Sequence, residues 1–355
     1  MANDTIKITF GMIVLNGEPF LHYNLRSLYP FAHQIIVVEG ACPSATEVAS
    51  ADGHSIDGTL RTLQEFKNNY DPEDKLVIVT AEDEGYPNGF WVDKTQMSQA
   101  YARRTTGNYL WQIDSDEFYH ERDMERLIAF LQEKMPDAVS FPQITFWGGF
   151  DYIVDSFYLI RDGAFEYHRL FAWKPGYHYK THFPPTVVDE QGVDLRRKLW
   201  IRACELRKMK IFLYHYSLLF PQQVFSKVRY YKRRNKSNID SWEQSVYRRL
   251  ENPFRAHNVY WHIGWLERYQ GEHPFAIQLM KKDIQDGKIQ VELRDCRDVE
   301  RLLSNRIYVI ATRILRIWAE ITAKQPFYFM YRVFSSIQFR IQKLFSTSQE
   351  ELSSG

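Results

Sequence analysis

The stretch from Tyr109 to Phe118 reads Tyr-Leu-Trp-Gln-Ile-Asp-Ser-Asp-Glu-Phe, an apolar run that enters three carboxylates. Side chains alternate along a strand, so Asp114 and Asp116 leave its open end together, where hard oxygen donors can hold a divalent cation against a diphosphate. Further along, Pro221 to Arg234 has helical spacing and carries Lys227, Arg229, Lys232, Arg233 and Arg234, with Lys236 just beyond. Such a face could bind a diphosphate or an anionic acceptor, or could simply be solvated.

A strand end of this kind needs a sheet behind it. Ile6 to Leu15 is apolar and β-branched, Glu18 to Tyr29 has helical spacing, and Gln34 to Glu39 reads as a buried parallel strand. The spacing then predicts a helix opening at Ser55-Ile-Asp-Gly-Thr and running through Leu60, Leu63 and Phe66, a strand over Lys75 to Thr80, and a helix over Asp93 to Arg104. This βαβαβ order implies an α/β fold with a Rossmann-like, mostly parallel sheet and helices on both faces. Ligands in such folds gather beyond the carboxyl ends of the strands, where Glu39, Asp57 and Asp114 all lie. The connection from Gly40 to Gly58 is longer than a usual strand-to-helix loop, which marks it as functional or mobile.

After Glu117 the alternation stops. Ala138 to Trp147, Phe157 to Arg161 and Arg169 to Trp173 read as strands among turns, predicting a loop-rich, antiparallel half with Trp147, Phe150, Tyr152 and Trp173 as candidate stacking platforms. Helical patterning returns over Pro221 to Arg234 and again beyond Pro253. From Val299 to Phe345 eight Arg or Lys residues face two acids, and Leu303, Ile307, Ile310, Ile314, Ile317 and Ile321 form a helical stripe. That pattern suits either helices packed on the core or an interfacial pair on anionic lipid. The expected organisation is a catalytic domain over 1–235, a helical extension over 236–298, basic amphipathic helices over 299–345 and a disordered tail over 346–355.

The 355 residues, 45% hydrophobic, suffice for one large α/β domain with an added lobe. A net charge of +1 argues against nucleic acid as an obligatory partner. Three distant cysteines suggest neither zinc nor a disulfide framework, and no secretory signal or membrane-spanning run of about 20 apolar residues is visible. The expected location is the cytoplasm, with peripheral attachment to the inner face of the membrane if the basic tail meets lipid.

Taken in order, Ile6 to Leu15 followed by Asn16-Gly17-Glu18, Ile35 to Ala41, Ser55-Ile-Asp-Gly-Thr59, Lys94 to Gln96 and Gln112 to Phe118 resemble the family 2 type of GT-A glycosyltransferase, in register over residues 6 to 120 and more weakly to about 235. The resemblance implies a nucleotide-diphosphate sugar as donor, with Glu39 and Asp57 near base and ribose and Lys94 at the nucleotide end of the site; the Gly40 to Gly58 loop then reads as a flap near the nucleotide, and Lys227 as a candidate to hold the diphosphate. It also implies Mn2+ or Mg2+ on the Asp114-Ser-Asp116 turn, with Asp116 ligating directly, Asp114 reaching the ribose or the metal, and His215 as a further ligand. The expected reaction is an inverting sugar transfer to a hydroxyl on a glycan, lipid-linked or envelope-polysaccharide acceptor.

An inverting transfer needs a carboxylate base within hydrogen-bond reach of the acceptor. Many relatives carry a His-Glu pair where this chain reads His182-Phe183, so the base is sought among Glu166, Asp155, Asp151 and Asp189, with Glu166 and Asp155 preferred. A sugar-nucleotide-forming nucleotidyltransferase is the competing enzyme class, but it should show a glycine-rich phosphate loop after the first strand, and Gly11 and Gly17 stand isolated. A non-catalytic binding protein on a transferase scaffold is the other alternative.

Overall fold

The computed structural model describes residues 5–86, 88–160, 166–232, 242–257 and 263–323. The expectations for Arg161, Arg233, Arg234, Lys236 and everything from Lys324 onward, including the 346–355 tail, lie outside the described residues.

The first half follows its sequence pattern closely. Strands β1 (Ile8–Val14), β2 (Gln34–Glu39), β3 (Leu76–Val79) and β4 (Tyr109–Ile113) are parallel, with helices α1 (Leu21–Leu28), α2 (Thr59–Tyr70) and α3 (Lys94–Arg104) between them. β1 lies inside the sheet with six of its seven residues buried, and its Met12 pairs with Val37 on one side and Ile113 on the other. That register brings the ends of β1, β2 and β4 to one edge. Helix α3 lies so close over β1 that a Cβ on Gly11 would stand 2.5 Å from the Tyr101 ring.

The turn after β4 joins two sheets. Asp114 closes it by accepting from the Glu117 backbone N–H at 3.0 Å, and β5 (Glu117–Phe118) then leaves the first sheet. Helix α4 (Glu121–Lys134) follows, then β6 (Ala138–Phe141) and β7 (Gln143–Trp147). The single strand expected over Ala138 to Trp147 is therefore broken, and the break falls at Pro142, which has no N–H for a ladder. β6 belongs to the first sheet and β7 to the second.

β8 (Tyr152–Ser156) ends where a strand was expected to begin. Phe157–Ile160 forms one helical turn, α5, because the Ser156 hydroxyl accepts from the Leu159 N–H at 3.1 Å and Phe157 packs on Trp265. The remaining strands are β9 (Tyr167–Ala172), β10 (His178–Thr181), β11 (Thr186–Val188), β12 (Trp200–Ile201), β13 (Leu213–Leu218) and β14 (Gly264–Arg268), with helices α6 (Ala203–Lys208) and α7 (Pro221–Lys232). The first sheet runs β12-β6-β9-β4-β1-β2-β3 and the second β14-β8-β7-β13-β5, while β10 and β11 pair as a hairpin.

The expected boundary at 235 does not hold. β14 pairs antiparallel with β8 from Gly264↔Ser156 to Arg268↔Tyr152, so a segment assigned to a helical extension completes the second sheet. The helical reading beyond Pro253 misled because Trp265 and Leu266, both fully buried, sit at adjacent positions that suit a strand covered on both faces. Helices Phe275–Gln285, Arg297–Ser304 and Arg306–Ala323 follow. No helix of the described residues is long and apolar enough to cross a membrane.

Candidate active site

Asp116 sits at the junction of the two sheets. Its carbonyl accepts from the Tyr216 N–H of β13 at 2.9 Å, and His215 pairs across the strands with Glu117. β13 bulges between His215 and Leu218, and this local irregularity brings the Ser217 hydroxyl and carbonyl to face α7. From α7, Lys227 places its ammonium 2.7 Å from Asp116 Oδ2 and 2.7 Å from Ser217 Oγ, while Gln223 donates to the same carboxylate oxygen at 3.0 Å. The other oxygen, Oδ1, faces His215 Nε2 at 3.4 Å. Burial works to raise the Asp116 pKa, but Lys227 and His215 outweigh it and hold the carboxyl far below the usual range.

Asp114 turns the other way. Its Oδ2 accepts from Arg169 Nη2 at 2.8 Å, and the same guanidinium nitrogen binds Glu117, whose side chain is wholly buried. Arg169 reaches this point from a β-bulge: Val139 pairs with Leu170 and Ser140 with His168, so Arg169 is the extra residue of β9. Burial opposes ionisation at Asp114, and Arg169 prevails, so its pKa lies below the ordinary carboxylate value. Glu117 goes the opposite way, as burial pushes it up to about 7 against the pull of Arg169. His182, in the turn of the β10–β11 hairpin, meets the Ser98 hydroxyl of α3 at 2.9 Å and adds its field to that of Arg169 on Asp114.

The three expected metal ligands are thus not gathered as one set. Asp116 and His215 lie side by side, whereas Asp114 is held by Arg169, and the described residues contain no cluster of three or more His, Cys, Asp or Glu arranged to hold an ion. A smaller donor set does fit. Imidazole and carboxylate suit Mn2+, His215 Nδ1 is buried without a hydrogen bond, and divalent ions at diphosphates commonly rest on one or two protein donors plus phosphate oxygens.

Glu39 and Asp57 hold backbone rather than face open space. The Glu39 carboxylate is fully buried; one oxygen accepts from the Ser55 N–H and hydroxyl, both at 2.7 Å, and the other meets His54 Nδ1 at 2.7 Å. The long loop after β2 is fastened further by Trp91, whose Nε1 donates to the Glu39 carbonyl at 2.9 Å. Asp57 accepts from the Glu18 N–H at 2.9 Å and from the Thr59 N–H at 3.0 Å, so it ties the β1–α1 turn to the start of α2. The loop is accordingly a fixed wall at the strand-end edge. Lys94, in the first turn of α3, lies 4.6 Å from the Tyr230 ring centroid, a contact between α3 and α7.

Neither preferred base reaches this cluster. Glu166 is buried against Arg202, with 2.7 Å between Oε1 and Nη2, and Asp155 pairs with Arg316 at 2.9 Å. Burial lifts Asp155 to about 6 despite that arginine. Of the other two candidates, Asp151 lies 3.7 Å from Lys281 and Asp189 2.7 Å from Lys198. Sequence reasoning had placed no role on Arg169, Gln223 or Ser217. For Arg169 a signal existed: a lone arginine inside the apolar strand Tyr-His-Arg-Leu-Phe-Ala must find a buried carboxylate.

Residues 9–184 match the family described as Glycosyl transferase family 2. Among curated proteins nothing matches the chain. Similar solved structures include S. aureus TarS 1-349 in complex with UDP-GlcNAc, at 16% identity and a TM-score of 0.31 over 40% of this chain and 35% of that one. Another is glucosyl-3-phosphoglycerate synthase from Mycobacterium tuberculosis in complex with Mn2+, UDP and glucosyl-3-phosphoglycerate, at 17% identity and a TM-score of 0.28 over 40% of this chain and 44% of that one. The chain therefore spans less than half the length of either. The family match covers the parallel strands and the acidic turn at their edge, so residues 9–184 are similar to a family 2 glycosyltransferase domain.

Proposed function

We propose that the chain transfers a sugar from a nucleotide-diphosphate sugar to an acceptor hydroxyl, with the diphosphate seated between the Asp114-Ser115-Asp116 turn, the wall built on Glu39 and Asp57, and helix α7. The observation that carries this reading is the meeting of Asp116, His215 and Lys227 at the edge where β1, β2 and β4 end. A departing diphosphate gathers negative charge, and a cleft stabilises it through cations fixed in place beforehand.

Lys227 is one such cation. It is anchored by Asp116 and Ser217 and can turn toward phosphate oxygens without leaving the cleft. Lys94 would act from α3, steadied by Tyr230 of α7. Asp116 and His215 would hold Mn2+ or Mg2+, which when bound neutralises charge on the leaving group. Arg169 keeps Asp114 ionised and fixed, leaving its second oxygen for a ribose hydroxyl.

We further propose inversion, by direct displacement, with a glycan, lipid-linked or envelope-polysaccharide acceptor entering along the aromatic second sheet. The test is a thermal-shift screen of nucleotide diphosphates and their sugars with and without Mn2+, followed by donor hydrolysis and transfer assays. Stabilisation by one diphosphate, lost in Asp116→Ala while the fold is retained, is the expected result; no response to any nucleotide diphosphate would overturn the reading.

A further inference from the structure

Helix Arg306–Ala323 has two apolar faces, and only one is used inside the molecule. Tyr308, Thr312 and Ala319 are buried, the Tyr308 hydroxyl accepts from the Leu266 N–H at 2.8 Å, and Arg316 binds Asp155 at 2.9 Å and Glu267 at 2.7 Å. This face fixes the helix to β14 and β8. On the outward side Ile307 is 79% exposed, Ile310 57%, Ile314 60%, Ile317 57%, Trp318 57% and Ile321 49%. At about 100° per residue these six fall within one arc of roughly 100°, a stripe along the full length of the helix.

The charge around the stripe is one-sided. Arg306 and Arg313 border it, Arg301 is exposed on the preceding helix, and Glu320 is the one exposed acid within Arg306–Ala323. Glu300 is already bound by Arg268 and Tyr152. Beyond Ala323 the sequence adds Lys324, Arg332, Arg340 and Lys343 and no acid before Glu350.

We propose that this outward face docks on an anionic lipid surface, the helix lying in the interface with its isoleucines among the acyl chains and its arginines at the headgroups. An amphipathic helix with a wide apolar stripe, a cationic border and an indole on the stripe matches that environment. Length agrees as well: 18 residues make a helix of about 27 Å that lies along a surface and is not apolar enough to span one.

The full chain is incubated with phosphatidylcholine vesicles with and without phosphatidylglycerol, and the bound fraction is measured by sedimentation. Binding to the anionic vesicles should be roughly tenfold or more tighter and should weaken as salt rises. The triple variant Ile310→Ser, Ile314→Ser, Ile317→Ser should lose it, and the double variant Arg306→Glu, Arg313→Glu should lose the preference for anionic lipid. All five positions are exposed, and circular dichroism melts check that the variants fold. Absence of vesicle binding by the full chain, equal binding by the triple variant, or a dimer that the triple variant dissolves without any lipid affinity would each overturn the proposal.

Discussion

The Lys227 ammonium lies 2.7 Å from Asp116 Oδ2, so a cation from α7 already sits on the carboxylate proposed to hold a divalent ion. The two cations would share one carboxylate, Lys227 on Oδ2 and the ion on the side of Oδ1 that faces His215. In Lys227→Met, Mn2+ measured by isothermal titration without donor should bind about tenfold tighter, because removing one nearby positive charge is worth on the order of 1.4 kcal/mol in a partly buried site. Binding of a nucleotide diphosphate in the absence of metal should weaken by a similar factor. Unchanged Mn2+ affinity would remove Asp116 from the ion site.

Arg169 binds Asp114 and the fully buried Glu117 through one nitrogen. Arg169→Met leaves that glutamate without its counter-charge, and loss of one member of a buried pair costs about 3–5 kcal/mol. Urea unfolding should register a loss of that size, and adding Glu117→Gln should recover part of it. If Arg169→Met unfolds at the wild-type midpoint, the bulge is not what holds the turn.

These two residues also show how far the sequence could be read. Asp114 and Asp116 announce themselves, because carboxylates closing an apolar strand are contiguous and need no partner to be noticed. The parallel half was legible for the same reason: strand and helix periods alternate over neighbouring residues, and β2 falls on the expected Gln34–Glu39. Arg169, His215 and Lys227 reach the site from 55, 99 and 111 positions away, counting from Asp114, Asp116 and Asp116. Their roles depend on two bulges that no periodicity encodes. Glu39 was placed correctly at a strand end, but whether its carboxylate faces a ligand or its own loop is decided by His54 and Ser55 folding back, a tertiary fact. The second sheet was misread where Pro142 divides one apolar run between two sheets and where β14 adds its last strand from far along the chain.

Glu39→Gln tests the wall directly. The amide accepts at its one oxygen only, so with the Ser55 contacts kept its NH2 faces His54 Nδ1, and a proton on that nitrogen is left without an acceptor at a buried position. An unsatisfied buried polar group costs about 1–3 kcal/mol. A drop of that size in unfolding free energy is expected, together with faster proteolysis between Gly40 and Gly58 and weaker nucleotide binding. Loss of nucleotide binding at full stability and unchanged proteolysis would instead mean that Glu39 touches the ligand.

His168 gives the protein an acid-sensitive limb. Trp200 Nε1 donates to Ser140 Oγ at 2.8 Å, so the Ser140 proton is free to point at His168 Nδ1, 2.7 Å away, which requires that nitrogen to be unprotonated. Burial, helped by Arg196, lowers the imidazole from 6.5 to about 3. With the folded value below the unfolded one, the unfolded chain takes up the proton first as pH falls below 6.5, and stability present at neutral pH is lost toward acid. The slope from this one group approaches about 1.4 kcal/mol per pH unit, and His273, lowered to about 4 by burial, adds to it with the same sign. His168→Gln keeps an acceptor for Ser140 but cannot take a proton. Urea unfolding at about pH 7 and about pH 5 should therefore show a smaller acid loss in the variant than in the wild type. Parallel losses would mean that the Trp200–Ser140–His168 chain is open to protonation in the folded protein.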